Sequence, residues 1–127
     1  MKIVKVTSNT IKIEKGKFVL SEKEIQKQIM EYLALIPKIV PKCWRQNTGA
    51  MEIEDRFIRF GEPGVSDILG YMNDGKFLAI EVKRPGKNPT ISQLIFLKGV
   101  HKVGGLAIIA RRIEDVQRRF KETGYLK

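Results

Sequence analysis

Two stretches of the chain hold the residue types that phosphodiester hydrolysis uses: Gly64-Val65-Ser66-Asp67, and then Ala79-Ile80-Glu81-Val82-Lys83. Alternate residues of a strand share a face, so Glu81 and Lys83 point one way and Ile80 and Val82 the other. A carboxylate and an ammonium on an inner strand of a small sheet are costly unless they are paired or bound to a metal. The turn residues Asn73-Asp74-Gly75 lie between the two stretches. Asp-Gly is a strong hairpin signal, and a hairpin brings Asp67 back beside Glu81. Two carboxylates, a main-chain carbonyl such as that of Val82, and water suit a hard cation, Mg²⁺ with Mn²⁺ as a substitute. Such a metal polarises a scissile phosphate and lowers the pKa of bound water. Lys83 beside it can orient that water or stabilise charge developing on the phosphate oxygens. The competing reading is a Glu81–Lys83 ion pair on an exposed strand, with Asp67 as a turn residue. E-x-K alone is common; the glycine, the aspartate and the hairpin together are far more specific.

The elements that must position these groups can be read along the chain. Residues 2–7 and 10–14 alternate apolar with polar and predict a short N-terminal hairpin around Ser8-Asn9, or an arm spanning residues 1–15. Gly16 marks a turn, and Phe18-Val19-Leu20 leads into a first helix. Ser21 and Glu24 form a capping box, Ile25, Ile29, Leu33 and Ile36 keep helical spacing, and Pro37 ends the run. Residues 42–47 read as a strand, a loop passes through Gly49, and 57–60 reads as a short strand before Gly61. Strands at 66–72 and 76–83 form the hairpin, and Arg84-Pro85-Gly86-Lys87-Asn88-Pro89 is a basic loop. A helix follows over 90–103. The apolar run 106–110 suits a strand buried on both faces, and a last helix spans 113–122 with Gly124 as its stop. The passage from 76–83 through a helix to 106–110 is a crossover, which makes those strands parallel. The fold class is therefore α/β: a sandwich with a mixed central β-sheet flanked by helices, in one domain over residues 1–127.

Composition narrows the partners. With 24 Lys and Arg against 14 Asp and Glu, the formal net charge is +10, which favours a polyanionic partner. The single cysteine, Cys43, rules out a disulfide framework within the chain and fits a reducing cytoplasm. Too few Cys and His are present for a structural zinc site, and no run reaches membrane-spanning length. These features predict a soluble, cytoplasmic protein with no membrane partner and no small-molecule cofactor. No helix joins a basic face to Trp or Phe, so a membrane-surface role ranks last. Trp44 reads as core, Cys43 as a buried thiol, and His101 as helix surface.

The set Gly64-Val65-Ser66-Asp67 … Glu81-Val82-Lys83 … Gln93 resembles the PD-(D/E)XK nuclease superfamily, whose fold is a restriction-endonuclease-like sandwich. It is most similar to the stand-alone VRR-NUC domain, over roughly residues 21–117. Ser66 stands where many members have proline. The resemblance implies Asp67 and Glu81 as metal ligands, Lys83 as an assisting residue, a glutamate opening the first helix, and a glutamine on the next. On a helix advancing about 100° per residue, Glu22 falls within about 60° of Ile25, Ile29 and Leu33, whereas Glu24 falls opposite. Glu22 is therefore the inward candidate, against the plain reading of a favourable charge at a helix N-terminus. Gln93 carries the same tension, because Thr90 and Gln93 also fit a T-x-x-Q capping box. Arg45, Gln46 and Asn47 on the preceding strand, and Arg84 and Lys87 with Asn88 in the loop, are candidate nucleic-acid contacts. The expected activity is a metal-dependent DNA endonuclease, structure-selective for branched or Holliday-junction DNA and acting as a homodimer. The alternatives are a nuclease for flap, duplex or single-stranded DNA, and a non-catalytic nucleic-acid-binding module on a nuclease fold.

Overall fold

Asp74 and Gly75 set the centre of the molecule. In a computed structural model, which describes residues 2–5, 10–14, 17–46, 49–60 and 62–127, β7 (Ile68–Tyr71) and β8 (Phe77–Val82) form an antiparallel hairpin. Gly75 takes a left-handed φ of 88°, and Met72 exchanges main-chain hydrogen bonds with the far side of the loop, to Lys76 at 2.8 Å and Gly75 at 2.9 Å. This is the three-residue hairpin loop with glycine at its left-handed position.

On one side of the hairpin lies β4 (Lys42–Arg45), antiparallel to β7; on the other lies β9 (Leu106–Ala110), parallel to β8. The order β4-β7-β8-β9 makes a mixed four-stranded sheet. The crossover between β8 and β9 is α2 (Ile91–Lys102). Helix α1 (Glu22–Ala34) precedes the sheet and α3 (Ile113–Glu122) follows it. The predicted α/β sandwich with a mixed sheet between helices is the observed architecture.

The layers follow the alternation of the strands. Ile68, Leu78, Ile80, Val82, Leu106, Ile108 and Ala110 face a core completed by Ile25, Ile29 and Leu33 of α1 and Val116 and Phe120 of α3. On the other face, Leu69 and Ala79 pack with Leu97 and Val100 of α2. Strands covered on both faces read as continuous apolar runs. Burying a Leu, Ile or Phe side chain contributes roughly 1.5–3 kcal/mol, so α1 and α3 are held mainly by their inward stripes.

Capping sharpens the helix starts. Thr90 and Gln93 make a complete capping box, with Thr90 N–H donating to Gln93 Oε1 at 2.8 Å and Gln93 N–H to Thr90 Oγ1 at 3.2 Å. At α1 the Ser21 hydroxyl accepts from Glu24 N–H at 3.1 Å. The second half of the predicted box is not made, and Glu24 Oε2 is buried with no partner among the described residues.

Two strands lie outside the predicted layout. Residues 17–20, expected as a lead into α1, form β3 (Lys17–Leu20), which joins β1 (Lys2–Lys5) and β2 (Thr10–Glu14) in an antiparallel sheet. The expected loop after Gly49 is instead β5 (Gly49–Ile53), paired with β6 (Arg56–Phe60). The Ser8-Asn9 turn, Gly16, Asn47 and Gly61 lie outside the described residues. No described helix is long and apolar enough to cross a membrane.

Candidate active site

Among the described residues only two polar side chains are buried outright, Ser66 and Glu81, at 0% and 1% exposure. Both belong to the pair of stretches singled out above. Buried polar groups are ordinarily hydrogen-bonded, yet Ser66 Oγ and Glu81 Oε2 have no partner among the described residues.

The hairpin register explains how the carboxylates meet. Ile68 pairs with Ile80 and Leu69 with Ala79, so Asp67 continues the ladder opposite Glu81, on the α2 face. Val82 N–H donates to Asp67 Oδ2 at 2.8 Å. A strand residue points its N–H and C=O the same way, so the Val82 carbonyl also turns toward the Asp67 side. On the other side of Asp67, its own carbonyl accepts from Gln46 N–H at 2.8 Å. Asp67 is thus held by the edges of both neighbouring strands. Gly64 turns the chain into this position with φ 82°, and a Cβ there would stand 2.5 Å from the Ser92 carbonyl oxygen. Glycine lets the Asp67 approach loop lie flat against the first turn of α2.

The electrostatics follow from this geometry. Burial pushes the Glu81 carboxyl up from the ordinary 4.5 to about 8, and Asp67 adds to this by charge and by hydrogen bonding. Lys83 acts in the opposite sense, and Glu22 adds a smaller repulsion. Among the described residues, Lys83 forms no ion pair; the only pairs are Arg112 and Arg118 with Asp115, at 3.9 and 2.7 Å. The exposed Glu81–Lys83 ion pair is therefore not what the fold contains. It holds instead a buried acid, crowded by a second acid, with a free cation on the same face.

The remaining predicted residues take different places around this pair. Glu22 does not join the two acids directly; its Oε2 accepts from Arg84 N–H at 3.3 Å, across 62 residues of sequence. It fixes the start of the basic loop. Gln93 spends its carboxamide oxygen on the Thr90 cap, which leaves only its amide N–H groups to offer a ligand. Gln46 stands in register beside Asp67, on the same face. Arg45 pairs with Ile68 and so projects to the other face, where it is exposed. Arg84 is half-buried and Lys87 exposed.

Trp44 departs from expectation. It is 38% exposed and donates its indole N–H to Gln46 Oε1 at 3.2 Å. Its strand is the outer one, and the apolar cluster under α2 does not extend over it. The Cys43 thiol is half-buried, and burial pushes its pKa up. His101 is exposed on α2, as expected.

Sequence reasoning read Arg111 as an extension of the nucleic-acid footprint or a solvated charge, and did not foresee its tie to the basic loop. Its guanidinium donates to the Lys87 carbonyl at 2.9 Å and to Asn88 Oδ1 at 3.3 Å. Its N–H donates to Asp115 Oδ2 at 2.8 Å. The basic loop is thus tied at Arg84 by Glu22 and at Lys87 by Arg111. Only the adjacency of Arg111 to the end of a buried strand hinted at such a role.

No family model matches the chain, and no curated protein sequence matches it. Among the described residues, no three Asp, Glu, His or Cys side chains gather into a group that could hold a metal ion. The donor set is two carboxylates, Asp67 and Glu81, with the Val82 carbonyl beside them. A buried, unpartnered carboxylate oxygen facing a second carboxylate fits a hard divalent cation, because such an ion would relieve both the repulsion and the missing partner.

Proposed function

We propose that this chain is a metal-dependent DNA endonuclease of the PD-(D/E)XK type. The observation that carries the reading is the buried Glu81 carboxyl set against Asp67, with its Oε2 unpartnered and Lys83 in no ion pair on the same face, among the described residues. A fold does not keep an acid in this state for stability, since burial alone penalises its charged form.

Asp67, Glu81 and the Val82 carbonyl would hold Mg²⁺ or Mn²⁺, which when bound would polarise a phosphate and acidify water. The chain's own groups then have distinct tasks. Lys83 offers an ammonium to a non-bridging phosphate oxygen, or to the attacking water, where charge develops. The Val82 N–H fixes the Asp67 carboxylate, and Gln46 N–H fixes its main chain, so neither must reorganise. Arg84 and Lys87 sit on a loop held at both ends, suited to meet backbone phosphates beside the site. The formal charge of +10 favours that encounter.

Within this reading the substrate is branched DNA of the Holliday-junction kind, cut by a homodimer, because one small domain offers one centre and paired cuts need two. Cleavage assays on labelled four-way junction, flap, duplex and single-stranded DNA test it, each in EDTA, Mg²⁺ and Mn²⁺, with the Glu81→Ala variant alongside. Metal-dependent cutting that the variant loses supports the nuclease, and the ranking of substrates decides junction against flap or duplex. Tight, salt-sensitive binding without cutting of any substrate would sink it in favour of a binding module.

A further inference from the structure

The sheet ends on one side at β9, and its outer edge opens into a groove of about 410 Å³ between α2 and α3. The main-chain geometry of β9 is determined by its partner. Lys83 N–H donates to the Ala110 carbonyl at 3.0 Å, so the main-chain groups of Ala110, Ile108 and Leu106 face β8. Those of the alternate residues, Ala107 and Ile109, face outward. Ala107 and Ile109 line the groove, and no other main-chain group among the described residues bonds to their outward N–H and C=O groups. An exposed row of this kind is a template for an added strand.

The groove also has side-chain character. Leu94 and Leu97 supply an apolar wall, and Lys98, Arg118 and Arg119 supply positive charge. Asp115 pairs with Arg118 at 2.7 Å and takes Arg111 N–H with its other oxygen, which leaves Lys98 and Arg119 as the lining cations with no ion pair among the described residues. Glu122 is the remaining acid of the lining. Helix α2 contributes no acidic residue at all.

We propose that this groove binds an extended, acidic peptide segment of a partner protein, which adds to β9 as a fifth strand. Main-chain pairing with Ala107 and Ile109 would give affinity. Alternate apolar side chains against Leu94 and Leu97, and acids against Lys98 and Arg119, would give specificity. A second copy of the chain fits less well. Its β9 lies at the bottom of an identical groove, so edge-to-edge pairing would set these cations against one another. The chain's own strand β1, Lys-Ile-Val-Lys, carries the wrong sign.

The test needs neither metal nor DNA, so its outcome is separate from that of the nuclease reading. A panel of labelled peptides of about eight residues, long enough to span β9, would alternate Asp with Ile, Val, Leu or Phe. Binding would be followed by fluorescence anisotropy, with hydrogen exchange at the Ala107 and Ile109 amides as the site-specific readout. The acidic peptides are expected to bind and to protect both amides. Lys-for-Asp peptides, and peptides N-methylated along the pairing edge, should each bind at least about tenfold more weakly. Ala107→Pro, which removes an outward donor, should abolish binding. Should that variant fold poorly, the surface pair Lys98→Glu and Arg119→Glu should reverse the preference toward Lys peptides. Three results would each overturn the proposal: no acidic peptide binding, binding without protection of the two amides, or protection by an oligonucleotide alone.

Discussion

Replacing Glu81 by glutamine probes the reasoning at its base. Glutamine keeps the shape and loses the charge that the fold resists. Because the carboxyl is 1% exposed and raised from 4.5 to about 8, the folded protein holds its proton where the unfolded chain has released it. Its contribution is fully present below about pH 4.5 and is lost as pH rises through about 8. At about 1.4 kcal/mol per unit, the full loss is on the order of 5 kcal/mol, comparable with the whole stability of a small domain. Urea unfolding in EDTA, at about pH 5 and about pH 9, measures it. The native protein should lose several kcal/mol more than Glu81→Gln over that interval, leaving the variant the more stable at alkaline pH. Mg²⁺ should then stabilise the native protein and not the variant, by roughly 2.7 kcal/mol at a hundred times its dissociation constant. Parallel pH curves for the two proteins would refute the idea that a buried, uncompensated acid occupies the site.

Other consequences follow from particular contacts. Gly64→Ala places a Cβ 2.5 Å from the Ser92 carbonyl at a φ of 82°; a loss of roughly 1–3 kcal/mol in urea unfolding is expected, with cleavage falling as Asp67 shifts. Arg111→Ala frees the Lys87–Asn88 part of the basic loop; DNA affinity should drop and KM rise while kcat stays close to native, and an unchanged KM would count against the tie. Tyr125 donates its phenol to Asp74 Oδ2 at 2.7 Å, and burial first, then Asp74, pushes the phenol up to about 12. In Asp74→Asn, absorbance titration should find that phenol ionising at lower pH, with the part due to burial retained.

Much of the scaffold was legible because it is specified locally. Ser21 ahead of Ile25, Ile29 and Leu33 encodes both the start and the buried face of α1. Asn73-Asp74-Gly75 encodes the hairpin, and alternation along 79–83 puts Glu81 and Lys83 on one face. The apolar run 106–110, reached by a crossover helix, encodes a parallel partner for β8. The β5–β6 hairpin was hidden because its turn is Glu54-Asp55, held at φ 49° and 62° without the glycine that usually announces such a turn. Strand β3 was hidden for a different reason: Phe18-Val19-Leu20 runs straight into a strong helix cap, and its pairing with β2 is not a local property.

What tertiary structure alone decided is the state of the chemical groups. The sequence contains Asp67, Glu81 and Lys83, but only tertiary packing removes water from Glu81 and leaves its Oε2 without a partner among the described residues. Only the closure of chain ends far apart brings Glu22 to Arg84 N–H, or Arg111 to the Lys87 carbonyl. Exposure of Trp44 follows from β4 being an outer strand, and the open groove from β9 being the other. Propensity and periodicity act over a few residues, whereas burial, charge crowding and a free sheet edge are properties of what lies across space.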